Sequence, residues 1–250
     1  LDYVRVGDLV FFSSRTTSGK YDVVTRQVLA WGQTGGDGTW LSPVVAPTST
    51  LGLVNGKLLG KPPMATSLTY YSGRIYMAHG NTVWATEPWL YDYVDRTKNF
   101  LQFGSDVTLL KAVTDGIFVG TDDGVDFLQG DAFPLKRTPI MNYGAIPNSA
   151  VVVPAELIKP QIEQSQQFQV KNAVMFLTKS GVVAGFDGGV TYNLTQSEVI
   201  LPDAERAATM FRRQDGINQF VAVAHSGGTP SSTAAIGDYC DAQIVRFNGA

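Results

Sequence analysis

Apolar residues in this chain fall into short runs separated by small clusters of Gly, Asn, Asp, Ser and Pro, the punctuation of strands and tight turns. Three stretches align without gaps. Ile75 to Ala85, Ile117 to Phe127 and Val174 to Ala184 each read as an apolar strand, a polar turn and a second strand entered through Val83, Val125 or Val182. Each predicts a β-hairpin.

Further strands are predicted around them: Ser67 to Tyr71 before the first hairpin, Asn99 to Phe103 after it, and Val107 to Val113 before the second. Four short strands per unit is the pattern of a propeller blade. Ile75, Ile117 and Val174 lie 42 and then 57 residues apart, against about 40–50 residues for a typical blade. The extra length is expected in loops such as Pro139 to Glu163. More degenerate units run from Asp8 to Trp40 and from Asn218–Ala224 through Ala242–Phe247. The expected fold is therefore all-β, an antiparallel β-propeller or incomplete propeller of about four to five blades, with a two-sheet β-sandwich as the alternative. The runs Leu9 to Phe12 and Ala150 to Pro154 lack alternation and read as strands covered on both faces. One helix is predicted over Pro202 to Arg213, where Pro202, Asp203 and Glu205 suit a first turn and Arg212 and Arg213 a last turn. Ser226 to Thr233 reads as a long exposed loop.

At 250 residues the chain can bury a core as one domain spanning 1–250. Its 44% apolar and 16% charged residues suit strands and turns. A net charge of −3 and a pI near 5.3, with basic residues scattered, give no electrostatic footprint for nucleic acid. Cys240 is the single cysteine, so neither an internal disulfide nor a cysteine metal site is available. No run approaches the ~20 apolar residues of a membrane-spanning helix, and Leu1-Asp2-Tyr3 lacks a basic-then-apolar signal pattern. A soluble protein is expected, although the chain begins without Met.

Candidate chemistry is sparse. The acidic turn Asp122-Asp123-Gly124-Val125-Asp126 places carboxylates close enough to hold Ca²⁺ or divide acid and base roles, yet it lacks the closing Glu of an EF-hand loop. A hairpin turn accounts for it better. The stretch loosely resembles the Asp-box turn of sialidase propellers through Asp122, Gly124 and Phe127, with Gly120 and Asp126 where Ser and Thr are usual, and that box is a structural turn. Glycoside hydrolysis needs two opposed carboxylates, and Glu87, Asp92, Asp95, Asp106, Asp115, Asp187 and Asp203 offer many pairs without selecting one. His79 and His225 are too few for a three-histidine zinc site and sit at strand ends. No Gly-x-Ser-x-Gly elbow is present, and Gly35-Gly36-Asp37-Gly38 is not followed by a phosphate-binding signature. No catalytic residue, cofactor or metal is expected. The aromatic group Trp84, Trp89, Tyr91 and Tyr93 beside Pro88 fits a protein-interface anchor, a sugar-stacking platform or core packing. Of these residues Trp89, Tyr91 and Tyr93 are the candidate interface.

The order Arg74-Ile75-Tyr76, Trp84-Ala85-Thr86-Glu87-Pro88, Asn99-Phe100-Leu101-Gln102-Phe103, Val107-Thr108-Leu109-Leu110 and Gly116-Ile117-Phe118-Val119-Gly120-Thr121 resembles a class of bacteriophage virion proteins. The closing Gly237-Asp238-Tyr239-Cys240-Asp241-Ala242-Gln243-Ile244-Val245-Arg246 is similar to the C-terminal strand of such proteins. The resemblance covers the last two thirds of the chain. It implies a propeller-like component of a phage tail or neck, of the hub or nozzle type, in a virion assembled in the host cytoplasm. Such proteins form homo-oligomeric rings, contact adaptor, spike or fibre proteins, and guide or retain DNA without catalysis. A carbohydrate-binding or glycoside-hydrolysing propeller and a cellular interaction scaffold are the alternative functions.

Overall fold

The structure, a computed structural model, describes all residues except 33–52, 55–56, 159–170, 196–203, 215–216, 226–240 and 248–250. Cys240, Trp40, Asp203, the Gly35–Gly38 segment and the loop expected over Ser226–Thr233 lie outside the described residues. The chain divides into two compact units, Leu1–Leu110 with Gly130–Lys136, and Lys111–Gln129 with Arg137–Ala250.

The first unit contains β1 (Asp2–Val6), β2 (Leu9–Ser13), β3 (Ser18–Asp22), β4 (Gln27–Leu29), β5 (Leu53–Val54), β6 (Lys57–Gly60), β7 (Ser67–Tyr71), β8 (Arg74–His79), β9 (Thr82–Ala85), β10 (Val94–Asp95) and β11 (Phe100–Gln102). They form antiparallel sheets in the orders β1-β2-β3-β4, β10-β6-β5 and β11-β9-β8-β7. The inner face of the first sheet presents Val4, Val6, Leu9 and Phe11 to a core that includes Trp31, Leu68, Ile75 and Met77. The Asp2 carboxylate accepts the Leu68 amide and the Ser67 hydroxyl, each at 2.9 Å, tying β1 to β7.

In the second unit lie β13 (Gly116–Thr121), β14 (Val125–Gln129), β16 (Val151–Pro154), β17 (Asn172–Thr178), β18 (Gly181–Gly185), β19 (Thr191–Asn193), β20 (Arg206–Gln214), β21 (Ile217–His225) and β22 (Asp241–Phe247). With β12 (Val107–Ala112) and β15 (Lys136–Met141) they form sheets in the orders β12-β13-β14-β15, β16-β17-β18-β19 and β20-β21-β22. A core of Val153, Ala173, Met175, Leu177, Val182 and Ala184 meets Ala207, Phe220 and Ala222.

The three aligned hairpins are the two central strands of three four-stranded meanders. Their register is the same in each: Ala78 faces Val83, Gly120 faces Val125, and Leu177 faces Val182. Whereas Thr82 and Trp84 on β9 are half-buried, in the second and third meanders the central strands Gly116 to Thr121 and Gly181 to Gly185 are covered on both faces throughout. This explains why they read as continuous apolar runs. The longer second interval is taken up between β16 and β17, where Ala155–Leu157 forms a 3-10 turn.

Two expectations are corrected. Arg206 to Gln214 is not helical but a strand paired along its whole length with β21. Ala207 points into the core and Phe211 packs against it, while Arg206, Ala208, Met210 and Arg212 are exposed. That two-residue alternation and a waiting partner strand outweigh the charges that suited a helix dipole. Among the described residues there is no α-helix. The run Ala150 to Pro154 is covered on one face only, because β16 is an edge strand with Val152 41% exposed.

The turn after β13 is closed by Gly144, where a Cβ would collide with the carbonyl oxygens of Thr121 and Asp122. Gly104 has open space around it. Gly144→Ala is expected to cost about 1–3 kcal/mol through overpacking, and Gly104→Ala to stay within about 0.5 kcal/mol, as read from urea unfolding.

Candidate functional site

Between β9 and β10 the chain leaves its sheet, and every backbone group it takes away from the ladder needs another partner. Thr86 supplies the first. Its N–H donates to Ile75 O at 3.0 Å, its hydroxyl accepts the Ile75 amide at 3.0 Å, and Arg74 Nη1 donates to its carbonyl at 2.6 Å. The buried Glu87 carboxylate accepts Asn99 Nδ2 at 2.7 Å. Across the loop, Glu87 N–H donates to Tyr93 O at 2.8 Å, and Leu90 N–H donates to Glu87 O at 3.2 Å. The far side is held by the first sheet's surroundings. Trp31 Nε1 donates to Tyr91 O at 2.8 Å, Gly32 N–H donates to Asp92 Oδ1 at 3.1 Å, and Lys20 Nζ lies 2.7 Å from Asp92 Oδ2.

These bonds separate the three aromatic candidates. Tyr93 is buried. Tyr91 is half-buried and packs edge-on against Phe11 and Tyr70, with ring centroids at 5.8 and 6.1 Å. Burial and the hydrogen bond with Tyr70 push its phenol up to about 12. Trp89 is 72% exposed, and beside it Leu90 is 54% exposed. The structure thus places Tyr91 and Tyr93 in packing and Trp89 at a tip, with Leu90 as a second apolar group there that the aromatic pattern did not reveal.

The tip rests on another turn. Ser72 and Gly73 join β7 to β8 with φ of 46° and 76°, the pair of left-handed residues that a two-residue type I′ hairpin requires. Gly73 O accepts Trp89 N–H at 2.8 Å. Trp89 itself has φ 62°, a strained value for a large side chain. Ser72 Oγ donates to Asp131 O at 3.3 Å, and the Arg74 guanidinium lies 5.8 Å from the Phe133 ring centroid, so the Gly130–Lys136 segment of the same unit borders the tip.

The carboxylates serve the fold wherever their partners are seen. Asp122 and Asp123 are exposed turn residues, and Thr121 N–H donates to Gly124 O at 2.8 Å, closing the hairpin. Asp126 is buried on β14 and pairs with Arg137 at 2.8 Å. Asp95 accepts the Thr97 amide at 2.9 Å and the Thr97 hydroxyl at 2.6 Å. Asp106 is exposed near Gly80. Asp115 and Asp187 cap each other's turns. Thr114 N–H donates to Asp187 Oδ1 at 2.8 Å, while Asp115 accepts Gly188 N–H at 2.9 Å and Gln129 Nε2 at 3.0 Å. His79 ends β8 with Nδ1 2.7 Å from Met64 O, and His225 ends β21. Among the described residues no three His, Cys, Asp or Glu side chains gather as a metal site.

No family model matches the chain, and no curated protein does. Solved structures similar to it include PorZ, a bacterial surface component of the type-IX secretion system of Porphyromonas gingivalis, at 10% identity and TM-score 0.44 over 92% of this chain. Two structures of the extracellular domain of BT4673 from B. thetaiotaomicron match at 10% identity, with TM-scores of 0.48 over 99% and 0.42 over 91% of this chain. The chain spans between 26% and 33% of the length of these structures. Likeness this distant assigns nothing to the residues above.

Burial raises the Asp187 carboxyl, the Thr114 amide draws it down, and the Asp115 charge raises it again, with a net upward shift. An acid raised by folding keeps its proton longer in the folded chain, so its contribution to stability falls as pH rises from the ordinary Asp value, about 3.9, through the folded one. Carboxyl NMR titration is expected to find Asp187 above that ordinary value, and Asp115→Asn to bring it down.

Proposed function

We propose that this chain is a structural assembly module that associates with copies of itself, anchored by Trp89 and Leu90. In its finer form the reading is a ring-forming component of a phage tail or neck, touching neighbouring virion proteins and bordering the path of DNA. The phage-like motifs support that finer form, and a net charge of −3 suits a wall that does not hold DNA tightly.

One observation carries the proposal: a tryptophan and a leucine stand exposed at the tip of a loop whose backbone is bonded on both sides. Neither side chain serves the core. A large ring held in place loses little conformational freedom on binding, which is what makes tryptophan an effective anchor. Sugar stacking would use the same indole, but it also needs polar side chains beside the ring to bond hydroxyls. In sequence the ring is flanked by Pro88 and Leu90, the Glu87 carboxylate is turned inward to Asn99, and the Ser72 hydroxyl that borders the tip already donates to Asp131 O.

Sedimentation velocity over a range of concentrations tests the reading. The wild-type chain is expected to self-associate, and Trp89→Ala to weaken association roughly 30-fold or more with an unchanged melting curve. A wild-type chain that stays monomeric, or a Trp89→Ala chain that associates equally well, would contradict it.

A further inference from the structure

We propose that Asp115 and Asp187 form a pH-operated clasp, closed in acid and loosened as its carboxyls ionise, that fastens the 3-10 turn Asp187–Gly189 over the Phe127 ring. The geometry is reciprocal. Thr114 N–H donates to Asp187 Oδ1 at 2.8 Å, and Gly188 N–H donates to the two oxygens of Asp115 at 2.9 and 3.0 Å. Each carboxylate therefore holds the backbone beside the other. Asp115 stands between β12 and β13 and Asp187 between β18 and β19, so within the second unit the pair ties two sheets together. Behind it lies a close apolar contact. Gly189 is buried, and a Cβ there would stand 2.9 Å from Cγ and 3.0 Å from Cβ and Cδ1 of Phe127. Phe127 is itself buried, with its ring 5.0 Å from that of Phe118, and release of the turn would uncover it.

Two carboxylates held by the same pair of turns repel each other when both are charged. The groups around them do little to offset this. The 3-10 turn packs on β13, which carries no titratable residue, and on β14, whose Asp126 is paired with Arg137 at 2.8 Å. Gln129 Nε2, which donates to Asp115 Oδ2 at 3.0 Å, is uncharged. On β19 the titratable side chain is Tyr192, whose ring packs edge-on against Phe186. Among the described residues, the charge that shifts the Asp187 carboxyl is that of Asp115. Burial, reinforced by that charge, raises Asp187 more than the Thr114 amide lowers it. The closed turn thus binds a proton more tightly than an open turn in water would. Closure is favoured at low pH, and the advantage is lost as pH rises from the ordinary Asp value, about 3.9, through the folded one. Neither amide loses its partner on protonation, because a neutral carboxyl still offers an acceptor oxygen.

Hydrogen exchange at the Thr114 and Gly188 amides reads the clasp directly, when expressed as protection so that the chemical pH dependence of exchange cancels. Wild-type protection at both is expected to fall roughly threefold or more between about pH 4 and pH 7. Leu177, whose amide donates to Ser149 Oγ at 3.0 Å, is expected to keep its protection. Asp115→Asn retains an oxygen for Gly188 and removes one charge. It is expected to raise protection at pH 7 and to abolish most of the difference between the two pH values. Wild-type protection at Thr114 and Gly188 that is equal at both pH values, or greater at pH 7, overturns the clasp without reference to any variant. A fall shared equally by Leu177 overturns it too, since the loosening would then be general. So does a wild-type difference that persists in full in Asp115→Asn protein.

Discussion

A strand covered on both faces can exist only where each face meets an apolar surface that fits it closely, and β8, β13, β17 and β18 all live under that constraint. It fixes their register, because a one-residue slip would exchange the two sets of side chains and leave neither cover intact. It also leaves little room in the sheets for anything but packing. Ile75, Ile117 and Val174 are fully buried. Chemistry or recognition therefore has to come from the turns, where the chain leaves the ladders, and the 86–93 loop is a turn whose departing backbone groups are bonded again at both ends.

The hairpins were legible because their pattern is local: apolar run, polar turn, Val-led return. The alignment of Val83, Val125 and Val182 carries over into pairing with Ala78, Gly120 and Leu177. The stretch after Pro202 was misread because its helical cues are local too, whereas the partner that makes Arg206–Gln214 a strand is β21. Within the candidate site, Trp89 stood out by residue type, but nothing in the order Trp-Leu-Tyr-Asp-Tyr says which side chains turn inward. That is decided by Trp31, Gly32 and Lys20, some 60 residues or more away in sequence. Leu90 and Gly73 were missed for the same reason. The signal for Gly73 was present in the Ser-Gly pair between Tyr71 and Arg74, a two-residue hairpin turn, though not the ring that lies on it.

The acidic residues form a consistent picture. Asp2, Asp92, Asp95, Asp115, Asp126 and Asp187 bond amides, hydroxyls or cations that the meanders would otherwise leave open at their turns and edges. A chain built from many short strands has many such ends, and carboxylates are strong acceptors for them. The abundance of Asp, which suggested acid-base chemistry in the sequence, is accounted for by this work wherever the partners are seen. Trp89 and Leu90 are among the exposed large apolar side chains of the described residues, together with Leu1, Tyr3, Val24, Val28 and Met210, and they are the pair that stands at the tip of this bonded loop.

Hydrogen exchange across the 86–94 segment, compared between dilute and concentrated protein, reads both the bonded loop and the docking of copies on its tip. The Trp89 amide is expected to be protected already in dilute solution by its bond to Gly73, with protection at Trp89, Leu90 and the surrounding amides that rises with concentration as copies dock. Rapid exchange at Trp89 in dilute protein, or exchange that does not change with concentration, would contradict it.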